Sequence, residues 1–119
     1  MIARAALVLL ALAAAKDDPL AGRIAGPPSD CIDLGFVDGP QIVDGRTILY
    51  PQTGRRIWRT EPIGACPGLE PQAALIVEVY GKQLCRNDRF RVRRTGETIL
   101  GAYCRFGAFT PYDKPKPPR

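Results

Sequence analysis

Four cysteines, Cys31, Cys66, Cys85 and Cys104, are spread along a chain of 119 residues that contains no histidine, and no two of them are closer than 19 positions. Zinc sites and thiol redox centres need close pairs such as C-x-x-C or histidine partners, and haem attachment needs C-x-x-C-H. With none of these present, metal and cofactor are not expected. The cysteines read as two structural disulfides, which form and persist in an oxidising compartment. Four cysteines allow three pairings. Cys31 opens the core and Cys104 belongs to its final strand, so the expected bridges are Cys31–Cys104 and Cys66–Cys85. Closing the 19-residue separation in the second contributes about 3 kcal/mol in the chain-entropy model.

The N-terminus agrees with export. MIARAALVLLALAAA carries a lone Arg4, an apolar run from Ala5 to Ala15 and small residues at its end. This is the pattern of a secretory signal peptide, with Ala13 and Ala15 meeting the A-x-A rule for cleavage after Ala15. The run is too short for a transmembrane helix, which needs about 20 apolar residues, so a chain that does not span the membrane is expected, periplasmic or secreted. Loss of Arg4 with the leader takes the formal net charge from +5 to +4.

The expected organisation is a signal peptide over 1–15, a flexible linker over 16–29, a disulfide-stapled β domain over 30–110 and a Pro/Lys-rich disordered tail over 111–119. Inside the domain, turn residues alternate with short β-rich runs. Asp44-Gly45 joins Gln41-Ile42-Val43 to Thr47-Ile48-Leu49-Tyr50, and Pro51-Gln52-Thr53-Gly54 leads into Arg55 to Thr60. Pro62 to Pro71 is a loop by its prolines and glycines. Ala73 to Tyr80 (AALIVEVY) is apolar except for Glu78 and is expected to be the most buried strand. Arg89 to Arg93 alternates charge with Phe90 and Val92, and Thr98 to Tyr103 is expected as the last strand. The fold class is therefore all-β: a small single-domain sheet, sandwich or partly open barrel of about six short antiparallel strands.

Four motifs carry a resemblance: D-G-R-T-I-L-Y at 44–50, C-P-G-L at 66–69, L-C-x-x-D-x-x-x-V at 84–92 and C-x-x-G-x-F at 104–109. Together they resemble an uncharacterised family of small exported proteobacterial proteins, a domain of unknown function. The resemblance implies an envelope location and a cysteine-bearing β domain, and it supplies no catalytic residues. The density of arginine after Cys85 departs from the family's pattern.

That density lies in CRNDRFRVRR, residues 85–94. If Phe90 and Val92 point inward, strand alternation puts Arg89, Arg91 and Arg93 in an outward row with Arg94 at the turn. Such a row is a candidate binding surface for anionic polymers. The favoured reading is that the row solubilises a strand face or guards an edge, since a Phe90 that fills the core cannot stack on a base. Nucleic acid is a disfavoured partner for an exported chain. Asp88, beside Asn87, is expected to close a turn by accepting a backbone N–H.

Catalysis is not expected. There is no histidine to act as a general base, and no nucleophile elbow, phosphate loop or metal motif. Glu78 is the one carboxylate in an apolar run, but alternation places it with Ile76 and Tyr80 on a half-solvated face. Three functions from different classes follow: an exported non-catalytic module that binds another envelope protein as an accessory factor or inhibitor, a binder of anionic envelope polymers through the arginine row, and a small hydrolase built on Glu78. The first is the leading expectation.

Overall fold

The computed structural model describes residues 18–117; the expected signal peptide and its cleavage point lie outside them. Among the described residues nine strands follow in order: β1 (Ile24–Ala25), β2 (Cys31–Asp33), β3 (Gln41–Asp44), β4 (Thr47–Pro51), β5 (Arg56–Pro62), β6 (Ala74–Val77), β7 (Gln83–Cys85), β8 (Arg89–Arg93) and β9 (Tyr103–Asp113). The fold is all-β. Six strands make a curled antiparallel half-barrel in the order β3-β4-β5-β9-β8-β6, and β2 and β7 form a separate two-stranded ladder.

β9 is the spine. β5 pairs with it from Arg56↔Asp113 to Pro62↔Phe106, while β8 at Arg89↔Arg105 and β1 at Ile24↔Asp113 also pair with it. Its 11 residues cannot keep one phase. Cys104 and Phe106 are buried, and so are Phe109 and Pro111, a switch from even to odd positions. A register shift between Thr60 and Pro62 absorbs it. Gly107 and Ala108 of β9 there oppose the single Glu61 of β5, as at a β-bulge, and inward phase is recovered after them. Gly107 is required by contact: a Cβ on it would lie 2.6 Å from the Glu61 carbonyl oxygen.

The core fills the inside of the curl. Phe90 and Phe106 pack with ring centroids 4.3 Å apart, and Tyr50 meets Phe106 and Phe109 edge-on. Ile32, Ile42, Ile48, Leu69, Leu84 and Val92, with Cys66 and Cys104, complete the cluster. Burial pushes the Tyr50 phenol well above its ordinary pKa, so it stays neutral. Asp88 closes the β7–β8 turn as expected: its carboxylate accepts the Cys85 N–H at 2.7 Å, and Asn87 takes the left-handed conformation, φ 74°.

Four expectations are corrected. The disulfides are Cys31–Cys85 and Cys66–Cys104, not Cys31–Cys104 and Cys66–Cys85. Cys31 and Cys85 face each other across the β2–β7 ladder, and the loop after β5 folds back to bring Cys66 to Cys104 on β9. Ala73 to Tyr80 is not the most buried strand: Ala74–Val77 pair with β8 at the end of the sheet, Tyr80 makes only an isolated bridge to Gln83, and Ile76 and Tyr80 are 44% and 80% exposed. One face of this strand packs on the core through Leu75 and Val77, and the other meets solvent. Residues 98–102 are irregular, with Ile99 81% exposed, and β9 begins only at Tyr103. Finally, the sheet extends past the boundaries expected at 30 and 110. Ile24–Ala25 pair with Tyr112 and Asp113, and Ser29 bridges to Phe109.

Candidate functional site

The arginines after Cys85 separate into two groups. Phe90 and Val92 are 0% and 2% exposed, so period two sends Arg89, Arg91 and Arg93 to the outer face of β8. The register adds Arg105, opposite Arg89, and Tyr103, opposite Arg91. Arg105 is not legible in the sequence as part of this surface, because only strand pairing makes it a neighbour. Arg94, past the end of β8, lies against Gly68 instead: a Cβ there would come 2.9 Å from its Nε.

Two members of the row are engaged within the protein. Arg89 donates from Nε and Nη2 to Glu78 Oε2 at 3.2 and 2.9 Å, and its guanidinium lies 4.6 Å from the Tyr103 ring centroid. Arg91 also covers that ring, at 4.9 Å, and donates to the carbonyls of Gly101 and Leu100. Tyr103 is thus flanked by two guanidinium groups. Glu78, the carboxylate on which a hydrolase would depend, is committed to Arg89. Arg93 and Arg105 take part in none of the ion pairs among the described residues, which are Arg56–Asp113, Arg59–Glu61 and Arg89–Glu78.

The Cys66–Cys104 bridge frames a cleft of about 630 Å³ beside Arg94. One wall, Pro67-Gly68, immediately follows Cys66 in the chain, and another, Gly101-Ala102, ends two residues before Cys104. The disulfide therefore ties the two walls together. Val92 and Leu100 supply apolar lining, and Arg94 and Glu97 supply the charges.

A second charged region is not legible in the sequence. Where β1 and β5 meet the end of β9, Arg55, Arg56, Lys114 and Lys116 line a groove of about 650 Å³ with one carboxylate, Asp113. Arg56 holds Asp113 through two hydrogen bonds, 2.8 and 2.9 Å, and this contact lowers the Asp113 pKa. Arg23 joins the segments by donating to the carbonyls of Arg55 and Tyr112.

The two ends of the sheet differ. β3 carries Gln41 and Asp44 and has a register shift between Ile42 and Asp44. β6 reads Ala-Leu-Ile-Val, without charge or proline, and keeps regular register over all four residues. The Glu78 N–H bonds to the Arg89 carbonyl, so by antiparallel alternation Leu75 and Val77 turn their backbone groups away from β8. An apolar groove of about 230 Å³, which includes Leu34, Val37, Val77 and Val79, adjoins the end of this strand.

Among the described residues no group of three or more His, Cys, Asp or Glu side chains could hold a metal ion, and no helix is long and apolar enough to cross a membrane. Comparison of the chain with protein-family models, curated proteins and solved structures found no match.

Proposed function

We propose that the chain is an exported, non-catalytic binding module of the cell envelope, periplasmic or secreted, that engages a protein partner by strand addition at β6. The observation that carries this reading is the contrast between the sheet's two ends. Natural sheets blunt their edges with bulges, charges or prolines, and β3 has such devices while β6 has none. An extended partner segment would pair with the outward backbone groups of Leu75 and Val77, with the groove beside Val77 and Val79 receiving a side chain. Export is supported by the two disulfides, which point to an oxidising compartment. Kinship with the exported proteobacterial family is part of the same proposal.

The test is affinity capture from an envelope extract at low and high salt, with the wild type and Ile76→Lys, followed by amide exchange on the complex. A partner retained at high salt, lost by Ile76→Lys and protecting the Leu75 and Val77 amides supports strand addition. A partner bound equally by both proteins, without that protection, overturns it.

The anionic-polymer reading is favoured by a different observation, the addition of Arg105 to the outer arginine face. Two of the four arginines there are already engaged, which leaves Arg93 and Arg105 as the available cations. Binding at this face would weaken steeply with salt and would be insensitive to Ile76→Lys.

A further inference from the structure

The cleft beside the Cys66–Cys104 bridge has the chemistry of a small-ligand site. Its volume, about 630 Å³, is within the usual range of about 300–1,000 Å³ for such sites, and its lining mixes apolar side chains such as Ile99 and Leu100 with the polar Arg94, Glu97 and Thr98. Its walls are held. The disulfide ties Pro67-Gly68 to Gly101-Ala102, and Arg91 fastens the second wall from behind through the Gly101 and Leu100 carbonyls, at 2.8 and 3.3 Å. The Gly101 N–H bonds to the Val92 carbonyl at 2.9 Å, which anchors the same wall to β8.

Two opposite charges stand at the cleft. Arg94 and Glu97 are the first and last residues of one tight turn, closed by the Glu97 N–H on the Arg94 carbonyl at 3.1 Å. Their α-carbons are therefore within about 7 Å of each other. Gly96, with φ 81°, makes the turn possible. Despite this proximity, neither side chain belongs to an ion pair among the described residues.

We propose that this cleft binds a small apolar zwitterion, a free α-amino acid with an aliphatic side chain or a dipeptide of such residues. The carboxylate pairs with Arg94, the ammonium with Glu97, and the aliphatic group lies on Ile99 and Leu100, above the buried Val92. A plain fatty acid would satisfy only Arg94 and an alkylamine only Glu97, so the pair of charges selects a ligand that carries both. Arg91 touches the wall and not the ligand.

Calorimetric titration of the oxidised protein with leucine, leucyl-leucine, octanoate and hexylamine tests this. The expected result is saturable binding of leucine or leucyl-leucine, at least tenfold weaker binding of the two singly charged probes, and at least tenfold loss in both Arg94→Gln and Glu97→Gln with unchanged melting temperature. Preference between leucine and leucyl-leucine distinguishes the two sources of the same chemistry. Amide shifts confined to residues near Gly68 and Gly101 would place the ligand in the cleft. Absence of binding by both zwitterions, octanoate binding as tight as theirs, or affinity indifferent to either substitution overturns the proposal.

Discussion

Cys31 and Cys85 are directly opposed in the β2–β7 ladder, their α-carbons 3.9 Å apart. The bridge joins residues separated by 54 positions, and Cys66–Cys104 joins residues separated by 38. Non-reducing peptide mapping is expected to recover these two pairs and no other. Replacing Cys85 with serine should cost about 2–5 kcal/mol and lower the melting temperature sharply, because the small core has little stability to spare. A mutant that melts with the wild type would exclude a structural role for the bridge.

Gly107→Ala should destabilise the fold by about 1–3 kcal/mol, since the new methyl group meets the Glu61 carbonyl and must push β5 from β9. Denaturant titration measures this. Gly39→Ala is the control, because a Cβ at that position meets nothing within 4 Å.

The outer arginines should respond unequally to glutamine substitution. Arg93→Gln is expected to stay within about 0.5 kcal/mol of the wild type, as surface changes usually do. Arg91→Gln removes hydrogen bonds to Gly101 and Leu100 and should cost about 1–2 kcal/mol, with faster amide exchange over 99–102. Equal effects of the two substitutions would mean that Arg91 does not hold this loop.

The Arg56–Asp113 contact gives a pH dependence of known sign. Hydrogen bonding to Arg56 lowers the Asp113 pKa in the folded chain, so its contribution is present at neutral pH and is lost as pH falls through that lowered value. The stability difference between wild type and Asp113→Asn should therefore shrink on acidification below about pH 4. Both side chains are solvent-accessible, so the difference should also shrink with added salt. A difference that grows on acidification would contradict this assignment.

The sequence by itself determined the local structure. Asp44-Gly45 makes its hairpin, Asp88 closes its turn, and the alternation of Phe90 and Val92 with arginine fixes which side of β8 faces the core. The four motifs also have local structural meanings: Leu69, Leu84, Val92 and Phe109 fill the core, and Gly107 fits the crowded bulge. The hairpin, the turn and the alternation depend on residues within a few positions of one another, where turn chemistry and period two act, whereas Gly107 answers to Glu61 on the neighbouring strand. The tertiary structure decided which distant residues meet. An apolar run such as Ala73 to Tyr80 reads the same in the middle of a sheet and at its end, because strand order does not enter its composition. The disulfide pairing, the exposed edge of β6, the neighbours of Arg105, the basic groove and the cleft of Arg94 and Glu97 all follow from that order. They were settled by the packing of the curl around Phe90, Phe106 and Phe109, which brings strands far apart in the chain to one side of β9 or the other.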